Sequence, residues 1–464
     1  MELAGIMAQT GPNKTLNYFF ETTVLPTPLS WYAHHIPTWI LRLTTVFALV
    51  SEILLPFLFF VPVRSVRITG FVIQLFLQIA VYLTGNFNFL NLLITTMLIT
   101  LLDDQFFFGK SRKNNESVIP GVFSALINII FHGAIVYGVI VFYNIKFTGT
   151  QIEASVGFTR DQFNSIAKTG LLYSTYLGLA SLGFTVARAI ASCFLDANNK
   201  FLQKLLSFLS TIFFSLIAAT IFFASTVPLS SLHAATNTTI SPNVRMVYNR
   251  LSKLHIVNQY GLFDKITGIN GRPEIIIEGS NNVEGPWVEY NFLYKPGNVN
   301  NSLPFVAPYS PRLDWQMWWS AQSTYSNEPW LLSLVHRLLS GNPEVLALLD
   351  RHSCPFIEKP PKYIRGVLYT YKYTPWSQRW QSAWWKREKV GEYFPVFSKD
   401  SAVLQDTLKA RNLLPTVSKQ KVHPIWKQVL DSIRMVASQL EATLLMWSVF
   451  TAGCAIITTT TKNK

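Results

Sequence analysis

Charged side chains are scarce in this 464-residue chain: Asp, Glu, Lys and Arg make up 14% of it, against the ~25% usual in a soluble domain. That shortage excludes a chain that is water-soluble from end to end. Cysteine is scarcer still. Cys193, Cys354 and Cys454 cannot build a disulfide framework, and no C-x-x-C spacing offers a zinc or redox centre. Also missing are H-E-x-x-H, G-x-S-x-G, G-x-x-x-x-G-K and G-x-G-x-x-G, which excludes enzymes built on those sites. No catalytic residue, metal or cofactor is assigned. Residues 1–38 have neither a basic start nor an apolar stretch, so the first membrane segment is expected to act as the targeting signal.

Apolar residues, in contrast, make up 49% of the chain and aromatics 14%, which excludes disorder. The net charge is +14, and residues 244–440 hold 24 Lys and Arg against 15 Asp and Glu, giving +9 of that total. No Arg-rich tract, helix-turn-helix or zinc-finger spacing accompanies the charge, so nucleic acid is not an expected partner. A membrane is. Crossing a ~30 Å core takes about 20 apolar residues, and Trp39–Val61, Val66–Thr84, Phe87–Leu102, Val118–Tyr143, Thr169–Ala187 and Leu205–Val227 approach that length. Lys and Arg favour the cytosolic side of short loops. With Thr169–Ala187 spanning, eight such residues fall on the cytosolic side against four; without it, seven against five. The spanning arrangement is predicted, with Asn13 luminal.

After Val227 the composition changes, and ten of the 13 Trp lie between 244 and 440. Glu274–Glu278 and Trp287–Tyr294 flank a loop of turn residues and predict a β-hairpin. Lys362–Thr374 is β-branched and aromatic, hence a third strand. Pro329 and Pro343 stand at first helical positions before apolar residues of 3.6 period. The fold class is thus a multi-pass α-helical membrane domain followed by a β-rich luminal domain with a helical insertion. The expected divisions are 1–38 before the membrane, 39–230 in it, 244–440 luminal, and 442–458 a C-terminal anchor. Sequons stand at Asn13, Asn115, Asn237 and Asn300; Asn237 and Asn300 suggest a luminal C-terminal domain.

Trp376, Trp380 and Trp384 recur every four residues with Arg379, Lys386, Arg387 and Lys389 between them. On a helix they form a Trp stripe beside a basic face, and Trp376, Trp380, Trp384, Trp385, Lys386 and Arg387 become candidates for holding a partner protein; core packing is the competing reading. Arg312, Asp314, Trp315 and Trp318 predict a structural ion pair under aromatic rings. His34 and His35, with Glu21, are the sole acid–base candidates, and an interfacial aromatic–histidine turn is the plainer reading. Arg42, Glu52, Gln74, Gln78, Asn91 and His132 interrupt the apolar segments without a periodic stripe, which favours interhelical bonds over a transport path. Asp103 and Asp104 form a polar pair at a membrane boundary. Cys354 reads as a buried, inert thiol.

Six stretches resemble the lipase maturation factor family: NYFFETTVLPTPLSWYAHH (Asn17–His35), GNFNFLNLL (Gly85–Leu93), GPWVEYNFLYKPG (Gly285–Gly297), PRLDWQMWW (Pro311–Trp319), KPPKYIRGVLYTYKYT (Lys359–Thr374) and WWKREKVGEYFPV (Trp384–Val396). The resemblance implies a multi-pass membrane protein of the endoplasmic reticulum. Its luminal C-terminal domain would assist folding or assembly of secretory client proteins, with lipases as clients in the family, and no catalytic residue. A membrane-embedded enzyme and a transporter are the alternatives from other classes.

Overall fold

A computed structural model describes residues 15–61, 63–103, 106–107, 121–149, 151–155, 157–195, 201–231, 234–258, 271–414 and 423–462. The sequons at Asn13 and Asn115, and Asp104, lie outside them. The chain forms two compact units, Met1–Ser155 with Lys265–Lys464, and Val156–Asp264.

The first unit opens with α1 (Thr15–Thr22) and α2 (Pro28–His34). Thr27 caps α2 by accepting from the Ser30 amide, and Pro28 stands at its first turn, where its missing N–H costs nothing. α3 (Thr38–Ile53) continues as a 3-10 turn, Leu55–Phe60, and α4 (Arg64–Thr84) returns beside it. Helices of this length and composition suffice to cross a membrane, and among the described residues five do: Thr38–Phe60, Arg64–Thr84, Ala125–Phe142, Asp161–Leu195 and Phe201–Ser230. The third apolar stretch helices only over α5 (Leu90–Ile99), ten residues. At its far end Asp103 meets Arg64, the first residue of α4, at 2.6 Å. The chain from 87 to 103 therefore travels back along the full length of α4 even though less than two thirds of it is helical.

Polar side chains join these helices: Gln74 donates to the Ser51 carbonyl, and Asn91 donates to Gln78 Oε1 at 2.8 Å. α6 (Gly121–Phe142) leads to a small hairpin, β1 (Lys146–Thr148) and β2 (Gln151–Glu153). In the second unit α7 (Arg160–Leu195) and α8 (Phe201–Ser230) form an antiparallel pair; Cys193 Sγ lies 3.3 Å from Thr211 Oγ1, and a Cβ on Gly178 would meet the Phe222 ring at 2.9 Å. α9 (Ala234–Asn237) and α10 (Pro242–Ser252) complete it.

The C-terminal part of the first unit is a four-stranded antiparallel sheet in the order β4-β3-β5-β6, with β3 Arg272–Ser280, β4 Val288–Glu289, β5 Tyr363–Tyr373 and β6 Trp385–Ser398. The hairpin and the third strand occur as expected, although β4 keeps only two residues. Three consecutive isoleucines in β3 send side chains to both faces. Ile275 and Ile277 enter a core with α11 (Arg312–Ser320), α12 (Pro329–Leu339), the single turn α13 (Pro343–Leu346) and α14 (Ala402–Ala410). Ile276 points the other way, to Trp31, Leu303, Tyr371, Tyr373 and Trp385. Cys354 packs against the first of these cores.

Two expectations are corrected. Residues 376–389 are not a helix: a 3-10 turn (Trp376–Gln378) leads into β6, because the residues from Trp385 onward pair with β5 along its length. Nor does Arg312 pair with Asp314. Arg312 is exposed, while buried Asp314 accepts the Tyr294 and Lys295 amides at 3.0 and 2.8 Å.

Beneath the sheet lies a wholly buried ionic triad: Glu274 sits 2.7 Å from Arg272 and 2.8 Å from Lys295. Removing one member strands a charge out of water, which costs ~3–5 kcal/mol. Glu274→Gln, leaving two buried cations, is expected to lower stability by about that amount and to appear as a lower melting temperature and reduced abundance in membranes.

Candidate functional site

The strongest concentration of chemistry in the first unit is where residues 17–35 meet the sheet. The loop after α1 presents its backbone carbonyls, which need donors once buried. Arg272 supplies two, to Thr23 and Val24, and the Trp318 indole donates to the Thr22 carbonyl at 3.0 Å. Glu21 accepts the Tyr373 amide at 2.6 Å, and the Tyr373 hydroxyl donates to the Phe20 carbonyl at 3.1 Å. The Trp31 indole reaches Thr374 Oγ1 at 3.2 Å. From the end of α4, Asn86 donates to the carbonyls of Leu25 and Pro304 and accepts the Val306 and Ala307 amides. Residues that the sequence set apart as a pre-membrane segment thus cover one face of the sheet.

Glu21, His34 and Tyr373 come together here. Burial pushes the Glu21 carboxyl up to about 7, while the Tyr373 amide and the charges of Lys372 and Arg272 oppose the rise. Burial also lowers His34 to about 4, against its bond to the Asn17 carbonyl. The His34 ring rests on Tyr373, centroids 5.2 Å apart, and His35 Nδ1 is 2.7 Å from the Trp31 carbonyl. Each of these groups has a backbone partner within the fold. Arranged this way they lock one segment to another.

The aromatic candidates divide. Trp385 is 2% exposed and stacks on Tyr373 at 4.3 Å. Arg387 forms a bidentate pair with Glu289. Trp384 is half-buried against Trp31. Outward-facing groups remain in the β5–β6 connection: Trp380, 86% exposed, and Trp376, with the Arg379 guanidinium 5.1 and 5.2 Å from their ring centres. Trp376 stacks on Trp31 at 5.5 Å, which fixes the connection beside the start of α3. Lys386 is exposed as the second residue of β6. Trp318 is buried and Trp315 half-buried in α11. Asn300 stands exposed in a turn, whereas Asn237 Oδ1 accepts from Arg245 at 2.9 Å.

Sequence reading passed over the Arg272–Glu274–Lys295 triad. The legible signal was R-P-E-I-I-I-E itself: an unbroken apolar run marks a strand covered on both faces, so charges at its ends must be buried and paired.

Comparison with known proteins follows the same two segments. The lipase maturation factor transmembrane domain matches residues 14–109, and the lipase maturation factor C-terminal domain matches residues 256–395. Lipase maturation factor 2 of Gallus gallus is 33% identical over 94% of this chain and 63% of its own length. That of Xenopus laevis is 36% identical over 93% and 63%. Human lipase maturation factor 1 is 28% identical over 82% and 55%. The chain therefore spans under two thirds of these relatives. No solved structure matches it.

The two shifted groups have opposite effects on stability. Glu21 holds its proton more tightly folded than unfolded, so it adds stability as pH falls from about 7 toward its ordinary 4.5. His34 holds its proton less tightly folded, so stability is lost as pH falls from 6.5 toward about 4. The contributions of these two groups are expected to offset each other across that window. Glu21→Gln should leave a curve that declines on acidification, and His34→Gln one that rises, each by ~1–3 kcal/mol. Parallel slopes in both variants would contradict the assignment.

Proposed function

Because the chain belongs to the lipase maturation factor family, we propose that it is a non-catalytic maturation factor, held in the endoplasmic reticulum membrane and working on secretory proteins in the lumen. The observation that carries the reading is the exposed Trp376–Arg379–Trp380 cluster, propped on Trp31 at the mouth of the membrane domain. Clients awaiting assembly expose apolar surface, and a rigid aromatic–cationic ridge binds such surface at small entropic cost. Lipases are the first clients to test.

Membrane arrangement supports the same reading. Residues 17–35 and the sheet touch, so the chain between them crosses the bilayer an even number of times. The Arg64–Asp103 pair favours counting 87–102 as a crossing, which with the five longer helices makes six. An even count puts the N-terminal motif and the C-terminal domain on one side of the bilayer; the sequons at Asn237 and Asn300 support the lumen as that side, where Asn300, exposed in a turn, would be open to glycosylation. Against a transport role stand Gln74, Gln78 and Asn91, whose amides are engaged between helices.

Trp380→Ala with Arg379→Ala is expected to leave the stability within ~0.5 kcal/mol of native while reducing secreted, active lipase several-fold in cells lacking the native protein. Unchanged lipase secretion in cells without the protein at all would turn the search to other secretory cargo. Asn300→Gln should remove one glycan. A glycan at Asn115 would reverse the arrangement.

A further inference from the structure

Near the end of the described chain, α15 (Pro424–Ser438) has no buried residue, and it joins α16 (Ala442–Lys462) at an angle of 84°. At ~100° per residue, Ile425, Trp426, Val429, Leu430, Ile433, Val436 and Ala437 fall within an arc of about 140°. Lys427, Gln428, Asp431, Ser432, Arg434 and Ser438 occupy most of the rest, with Pro424 and Met435 the apolar residues among them. Trp426 is 64% exposed and Ile433 58%, so the protein leaves this face bare.

The neighbours of α16 say what covers it. Trp447, in its second turn, packs on Tyr82 with centroids 5.7 Å apart, and Tyr82 lies in the last turn of α4, one of the membrane-length helices. Thr443 donates to the Val306 carbonyl, and the Tyr82 hydroxyl donates to the Ala307 carbonyl. One short segment of the C-terminal fold thus marks a single level, at which α4 leaves the apolar layer and α16 enters it. A helix nearly perpendicular to α16 at that level runs along the bilayer surface.

We propose that α15 is an interfacial helix, its Ile425–Val429–Ile433–Val436 face sunk among lipid acyl chains and its polar face in the headgroup layer. Charge fits that orientation. Arg434 and Lys427 flank the apolar arc from one side, where long basic side chains reach lipid phosphates, and the helix carries two cations against the single acid Asp431, 3.7 Å from Arg434. The occupant is lipid, with some preference for anionic headgroups. Together α15 and α16 form a bent anchor that grips the surface as well as the core of the membrane. No client contact enters this anchoring, so the maturation reading can fail without affecting it.

The test uses the full chain in phosphatidylcholine nanodiscs, with and without phosphatidylserine. Spin labels are placed singly at Val429→Cys, Ile433→Cys, Gln428→Cys and Asp431→Cys, in a chain whose three cysteines are serine. At 429 and 433, relaxation by oxygen is expected to exceed relaxation by an aqueous nickel chelate several-fold, and the order should invert at 428 and 431. Equal nickel access at all four sites would overturn the proposal. So would nickel exclusion at all four, the mark of a broken span, and spin–spin broadening at 433, the mark of a second copy. A chain with native cysteines gives an independent reading: Val429→Asp with Ile433→Asp should speed tryptic cleavage after Lys427 and Arg434 several-fold in the same discs, and an unchanged rate would also overturn it.

Discussion

A guanidinium removed from water must be surrounded by oxygen, and Arg272 finds its oxygen in two different parts of the chain. Glu274 on its own strand takes one edge; the Thr23 and Val24 carbonyls, some 250 residues away in sequence, take the other. Neither half is complete alone. Without the N-terminal loop the cation on β3 would face an open surface, and without Arg272 and Trp318 the loop would bury carbonyls with no donor. Lys295 closes the group by neutralising what Arg272 leaves of Glu274. The dependence is therefore mutual, and it ties the entrance of the membrane domain to a sheet that the chain reaches only after α8.

From that joint the other features follow. α3 begins four residues after α2, so whatever holds α2 also sets where the first membrane helix starts. Asn86 repeats the device at the exit of α4, with one amide satisfying four backbone groups from two segments. Trp31 is held by Thr374 on one side and by Trp376 on the other. The exposed Trp376 is thus mounted on the same seam through its stacking on Trp31. A surface used for repeated weak contact benefits from such mounting, because rings already fixed lose little freedom on binding.

Electrostatics at the seam are balanced and not merely neutral. A carboxyl raised by burial and an imidazole lowered by it sit on either side of Tyr373, and their proton affinities shift in opposite senses. Acidification that loosens one tightens the other.

Composition and periodicity determined much of this by themselves. Runs of uncharged apolar residues have few ways to satisfy their backbone other than as helices in lipid, so the multi-pass character was legible, as were β3, β5 and the two proline-initiated helices. What local pattern cannot carry is which surface a residue meets. Trp376, Trp380 and Trp384 keep a helical spacing, yet long pairing between β5 and β6 outweighs it and buries Trp385 while leaving Trp380 in the open. Asp314 stands two residues from Arg312 but spends its charge on amides twenty positions away. The three isoleucines of β3 announced a second covered face without saying that residues 17–35 would supply the cover. Only the tertiary structure decided that, because partners for buried charge are chosen by proximity in space, and proximity in space depends on a fold that closes over more than two hundred residues of intervening chain.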